Sequence, residues 1–535
     1  MHADLIVKNA KLYTVDANYS ISEAFAVKNE KIVAVGLYDD IENLYGKETV
    51  TLDAEGKTVL PGFIDAHSHL LSLEGKNLLQ VDCSSEKVQS INDIIQGLNE
   101  KADKTPPGKW VLGGRYDDMK IIEKRHPTRW DLDKASIKHP IHLRHVSGHL
   151  GVVNSKALEI AGISKNTDNP EGGTFDRSTN GEMTGVCREE ADFLFIPGIG
   201  KGGSFITPFT EEEELYALKL SCAEYNKLGI TSVGDALVGP SEIKTFQQAL
   251  NMGKLSVRVY MMILDSYLKD LKELNLFTGF GNDYLKVGSI KSFVDGAIAG
   301  RTAWISKPYN GRPDDFGIRT KTPEEIEKIV FDAHTAGFQI AIHANGDKAI
   351  EMVLDAYEKV LKAYPRDNHR HRIAHCTVVT PKILERIRKL GVVVLPFSTY
   401  IFQHGEKMEE YGDRISMMFA HRSFLDYGIP IGGSSDNPCA TQDPLTALYS
   451  MVTRKSSSGT VLGPEQKLSV EEAIKIYTMG SAYASFDEKI KGSLEVGKLG
   501  DFVVLSDDPH QVDPEALRDI RVEKTYVGGK EVFSL

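Results

Sequence analysis

The rhythm of apolar and polar positions changes along the chain. Before residue 60, short apolar runs at 4–7, 11–15, 24–27, 31–36 and 49–53 are separated by Asn, Asp, Gly and Lys turns, which predicts a small antiparallel sheet. The same texture returns at 500–505, 522–527 and 530–533. Strand groups at both ends predict one β-sandwich domain assembled from the two termini, because chain termini commonly lie close together. Between them, buried-strand patterns at 63–66, 229–235, 257–264, 290–296, 338–343, 372–376, 392–396 and 429–436 alternate with helical patterns over about 211–228, 323–336, 348–363 and 382–390. Such alternation predicts an α/β architecture, and these eight strands suit a distorted (β/α)8 TIM barrel.

Residues 78–206 break this rhythm. They are rich in Pro, Gly and charge, and read as an insertion after the first barrel strand that could cover the barrel mouth. Their aromatics Trp110, Tyr116 and Trp130 suit an apolar subsite or, equally, the insertion's own small core. The expected organisation is 1–59 for the N-terminal part of the β-domain, 60–488 for the barrel with its insertion, and 489–535 for the C-terminal part. A chain of 535 residues exceeds what one core usually organises, so a large and a small domain are expected.

Composition narrows the partners. A formal charge of −12 with no basic stripe argues against nucleic acid, and no apolar run is long enough to span a bilayer. The first residues show no charged-then-apolar leader. Cys83, Cys187, Cys222, Cys376 and Cys439 are odd in number and form no CxxC pair, which predicts reduced thiols in a cytoplasmic protein. The expected partner is a small molecule, with self-association left open.

The candidate chemistry lies at strand ends. Pro61 and Gly62 punctuate a short strand that ends in His67 and His69, and positions i and i+2 of a strand point the same way. Lys291 falls in the fourth strand, His343 ends the fifth, His375 the sixth and Asp436 the eighth. Taken singly, each has an ordinary explanation: a hydrogen-bonded histidine, a lysine paired with Asp295 or Asp436, an aspartate capping a helix ahead of Asn437-Pro438. Taken together at the carboxyl ends of one sheet, they predict a cation site. Imidazole and carboxylate ligands suit zinc, manganese or iron rather than calcium or magnesium. Cys376 follows His375 on the opposite face of a continuing strand and reads as packing.

Pro61 through His69, Ile342-His343-Ala344, Ala374-His375-Cys376 and Gly433-Ser434-Ser435-Asp436 resemble the metal motifs of the amidohydrolase superfamily. Gly148-His149, Asn154-Ser155, Pro170 to Gly173, Gly181 to Gly185 and Lys291 to Gly296 narrow the likeness to its family 3, the YtcJ-like group that includes N-substituted formamide deformylases. The stretch 492–503 resembles the superfamily's return to its β-domain, so the likeness spans nearly the whole chain. The resemblance implies a divalent metal, zinc first and manganese or iron as alternatives, at His67, His69, His343, His375 and Asp436. Lys291 would be carboxylated if two ions are held. It further implies hydrolysis of an N-acyl, N-formyl or cyclic amide by metal-activated hydroxide, with Asp436 moving the proton. His145, His149 and Arg301 are candidates to contact the substrate or its oxyanion. Ester or carbamate hydrolysis, isomerisation, and a catalytically inactive ligand-binding protein are the rival readings.

Overall fold

The computed structural model describes residues 2–196, 204–206 and 208–535; the part of the insertion numbered 197–203 lies outside them. At its centre is a parallel sheet in the order Phe63–Ser68, Ile230–Val238, Arg258–Leu264, Leu285–Phe293, Ile340–Ala344, Arg372–His375 and Val393–Leu395. Each neighbouring pair is parallel, so every carboxyl end opens on the same face. The expected eighth strand closes the barrel differently. Residues 429–436 carry only single parallel bridges, Val394 to Ile431 and Phe397 to Ser434. They are stapled instead by Gly432 N to Val394 O (3.1 Å), Ala66 N to Gly433 O (2.8 Å) and Asp436 N to His67 O (3.0 Å). Close approach is the reason: a Cβ on Gly433 would lie 2.4 Å from the Tyr477 ring.

The surrounding helices begin and end where local chemistry directs. Thr210 with Glu213 and Thr322 with Glu325 form capping boxes ahead of Glu211–Lys227 and Pro323–Thr335, and Gly391 in the left-handed region ends Pro381–Leu390. Helix Asp347–Ala363 buries Ile350, Val353, Leu354, Tyr357 and Val360 in the core that wraps the barrel. No helix among the described residues is long and apolar enough to cross a membrane.

Both termini build the accessory β-domain. Its six-stranded sheet runs Lys530–Ser534, Val522–Val527, Phe502–Leu505, Thr58–Pro61, Lys11–Tyr13, Ile21–Ser22, three C-terminal strands joined to three N-terminal ones where Phe502–Leu505 pairs with Thr58–Pro61. A four-stranded sheet (Lys31–Gly36, Ala24–Lys28, Leu5–Lys8, Val50–Asp53) shares a core with it through Leu5, Val7, Phe25, Phe502 and Tyr526. Leu5–Lys8 and Val50–Asp53 pair in parallel, against the antiparallel expectation. Asp501 accepts from Arg258 Nε and Nη2 at 2.7 and 2.9 Å, a buried bidentate pair joining this domain to the third barrel strand.

The insertion is better ordered than its composition suggests. It forms a six-stranded mixed sheet: Gly173–Arg177, Met183–Glu189, Leu150–Val153, Ile141–His145, Val111–Tyr116, Val81–Asp82. Ile94, Leu98, Tyr116, Leu132 and Leu143 form a core of their own. Two of the three aromatics therefore serve the insertion's packing, Tyr116 in that core and Trp110 against Phe195, while Trp130 stays 43% exposed.

Candidate metal centre

The first strand delivers His67, and the chain leaves it at His69 into a π-helical turn, Leu70–Gly75. The stapled segment 429–436 delivers Asp436 opposite. One oxygen, Asp436 Oδ1, lies 3.2 Å from His67 Nε2, 3.2 Å from His69 Nε2 and 3.9 Å from His375 Nε2. The His67, His69 and Asp436 ligand atoms are all within 4.8 Å of one another. Lys291 Nζ stands 3.3 Å from His67 Nε2, and the His343 ring centre is 4.6 Å from that of His375. His343 Nε2 lies 3.1 Å from both the Gly296 carbonyl oxygen and the Asn345 side-chain amide nitrogen. The structure thus brings together all six residues that the sequence named as metal ligands.

Asp65 and Asp295, which the sequence reading passed over as site residues or offered only as a lysine partner, hold this arrangement in place. Asp65 accepts from Ser435 N at 3.1 Å and His67 N at 3.3 Å, tying the first strand to the closing segment. Asp295 accepts from Asn345 N, Gly346 N and Trp304 N at 3.0, 2.8 and 2.9 Å, so it is not the partner of Lys291. Nor is Asp436 a helix cap; Asp443 caps the helix that follows. His375 and Asp436 sit at φ 70° and 54°, in the left-handed region, where non-glycine residues concentrate at functional sites.

Burial governs the protonation states. It holds the imidazoles of His67 and His343 well below their ordinary value, with the Lys291 and His375 charges respectively adding to the effect. Burial likewise brings His375 down to about 4. Neutral imidazoles carry the lone pairs that a cation needs. Burial opposes charge on Asp436 too, but His375, His67 and His69 outweigh it and keep the carboxyl well below the usual range. Lys291 is lowered by burial to about 7, so a substantial fraction is neutral amine near physiological pH. His67 Nδ1 and His375 Nδ1 are buried without a hydrogen-bond partner. Three converging donor atoms, neutral rings and one anionic oxygen fit a divalent cation.

The site opens into a cavity of ≈ 390 Å³ lined by His67, His69, Lys291, His343, Asp436 and, from the inserted sheet, His149. The other two substrate-contact candidates lie elsewhere. His145 turns into a cluster behind the cavity wall, with Nε2 3.1 Å from Asp118 and Nδ1 2.8 Å from Ser147 Oγ. Arg301 pairs with Glu410 at 2.9 Å. Two further residues that the sequence did not single out belong to this site, one behind His149 and one on the cavity wall. Glu189, fully buried and at φ 51°, lies 2.7 Å from His149 Nδ1, and Cys439 lines the wall. Nothing in the local sequence marks Glu189, since its partner lies forty residues earlier.

Comparison with known proteins agrees with this geometry. The amidohydrolase family model matches residues 50–533. YtcJ of Bacillus subtilis (strain 168), named as a candidate amidohydrolase, is 31% identical over 98% of both chains. The N-substituted formamide deformylase of Arthrobacter pascens is 30% identical, covering 98% of this chain and 97% of its own. A crystal structure of an uncharacterized metal-dependent hydrolase from Pyrococcus horikoshii OT3 superposes with a TM-score of 0.76 at 26% identity, over 96% of this chain and 99% of that one. With its barrel, its converging histidines and its near full-length likeness, the chain belongs to the amidohydrolase family and is a metal-dependent hydrolase of its YtcJ- and deformylase-like group.

Proposed function

We propose that this protein hydrolyses a non-peptide amide C–N bond, with a divalent cation held by His67, His69, Asp436, His343 and His375. The observation that carries the reading is the single Asp436 oxygen shared by three neutral imidazoles. Zinc is the metal that this nitrogen-rich donor set favours. When bound, it supplies Lewis-acid polarisation of a carbonyl and a water acidic enough to react at neutral pH. The chain's own residues do the rest. Asp436 takes the proton from the attacking water and returns it to the departing nitrogen, which would otherwise leave poorly as an anion. Glu189 occupies His149 Nδ1, so His149 presents Nε2 towards the oxygen that gains charge during attack. Lys291 has no carboxylate within 4.0 Å among the described residues, and its neutral amine is the form that adds CO2; a carboxylated Lys291 would bridge two ions. The net charge of −12 and five free, buried cysteines support a cytoplasmic enzyme acting on a small molecule.

The test is a panel of N-formyl, N-acyl and cyclic amides with metal-loaded enzyme. Stoichiometric release of amine and carboxylate is expected for the acyclic members, and a product of unchanged mass would replace hydrolysis with isomerisation. Supplying ¹³C-bicarbonate should yield a carbamate resonance that is absent in Lys291→Met; without it the bridge is discarded.

A further inference from the structure

Leu73, Leu237 and Arg144 line both the metal cavity and a larger chamber of ≈ 900 Å³, and of these three Arg144 carries the charge. It projects from the strand Ile141–His145 of the inserted sheet. Two fully buried arginines show what an occupied fork looks like. Arg258 grips Asp501 with two nitrogens, and Arg454 donates to Leu462 O, Phe419 O and Met418 O at 2.8, 2.8 and 3.1 Å. Arg144 has one hydrogen bond, Nη2 to the Gly148 carbonyl at 2.8 Å; its Nε is buried with no partner, and among the described residues no carboxylate pairs with it. The nearest candidate, Asp192, is turned to His142 Nε2 at 2.8 Å. A guanidinium offers five donors, so most of this fork is unused.

The chamber on its other side is mainly apolar, with Leu73, Leu112, Phe195, Leu237, Leu264 and Tyr267 on its wall. The chamber's lysine, Lys76, is already held between Glu242 and Glu214. Arg144 is therefore the cation of the chamber wall with donors left over for an anion, and it stands on the wall that the chamber shares with the metal cavity. Resting on the amide-hydrolase reading above, we propose that Arg144 binds a substrate carboxylate, and that the substrates are N-acylated acids whose apolar group fills the chamber. Guanidinium–carboxylate pairing is bidentate and directional, so it would set the position of the scissile carbonyl as well as affinity.

The test uses a matched pair, N-formyl-phenylalanine and N-formyl-phenethylamine, which differ by the carboxylate alone. Wild-type enzyme should favour the acid in kcat/KM by on the order of 10²-fold, the scale of hydrogen bonds to a charged group. Arg144→Met should collapse that ratio, and Arg144→Lys should recover part of it. A wild-type preference for the neutral amide overturns the proposal, as does a ratio that Arg144→Met leaves unmoved. Should Arg144→Met fail to fold, a ratio unaltered in Arg144→Lys overturns it in the same way. Calorimetry with 3-phenylpropanoate and its neutral amide separates the two readings. Carboxylate-selective binding that needs Arg144, in an enzyme that cleaves neither amide, upholds the anion site and removes the hydrolytic assignment; no selective binding removes the anion site.

Discussion

His67, His69 and Asp436 at the barrel mouth, and Asp118, His126 and His145 in the inserted sheet, each bring three ligand atoms within 4.8 Å of one another. By residue type the two clusters look alike, yet their surroundings differ. In the inserted sheet the rings are already engaged: His145 by Asp118 and Ser147, His126 by Tyr116 Oη at 3.1 Å. Lys407 Nζ lies 3.7 Å from Asp118 Oδ1 and supplies a built-in cation. At the barrel mouth one oxygen faces three rings, and the neighbouring lysine stands against His67 rather than a carboxylate. The difference lies in outside partners: the barrel-mouth ligand atoms pair with one another, whereas the inserted cluster is tied to Ser147, Tyr116 and Lys407.

The sharpest break in that comparison is at Asp436. Asp436→Asn should lower kcat by roughly 10²–10⁴-fold while retaining most of the metal, because the general acid–base step is lost. His67→Ala should lose metal and turnover together, read by elemental analysis beside the assay; activity lost at full metal occupancy would remove His67 from the ligand set. In the inserted sheet the expected effects fall on stability. Asp118→Asn leaves the Lys407 ammonium beside an uncharged partner and should cost about 3 kcal/mol in urea unfolding, with metal content unchanged. Metal lost in step with this variant would make the second cluster a site as well.

The smallest effect is a pH slope. Burial, aided by the His145 charge, lowers His126 to about 3, so the folded protein keeps it neutral where the unfolded chain protonates it. Its stability contribution is complete above about pH 6.5 and is lost as pH falls from there towards 3. Between pH 7 and pH 5 it should cost about 2 kcal/mol, and His126→Gln should remove most of that slope. A slope unchanged in the variant would assign the titration to another group.

Much of the barrel was legible because strand and helix periods alternate over long stretches, and caps such as Thr322 with Glu325 lie within four residues of each other. The closing segment was misread as a full strand. Its apolar pattern is strand-like, but Gly433 is needed for contact with Tyr477, which is distant in sequence. The inserted sheet was hidden because its pairs, such as Arg177 with Met183 across a turn, carry mixed polarity and irregular register. The continuing strand expected after His375 also ends early, at positive φ, although Cys376 is buried packing as expected.

By itself the sequence determined which residue types stand at the carboxyl ends of barrel strands, since alternation along a strand is a local property that nearby residues dictate. Only the tertiary structure decided which of them lack internal partners. Glu189 reaches His149, Asp65 reaches Ser435 and, among the described residues, no carboxylate reaches Arg144, and each outcome depends on segments brought together by the packing of the whole barrel and its inserted sheet. Pairing of buried polar groups is a property of three-dimensional neighbours, and no spacing along the chain encodes it.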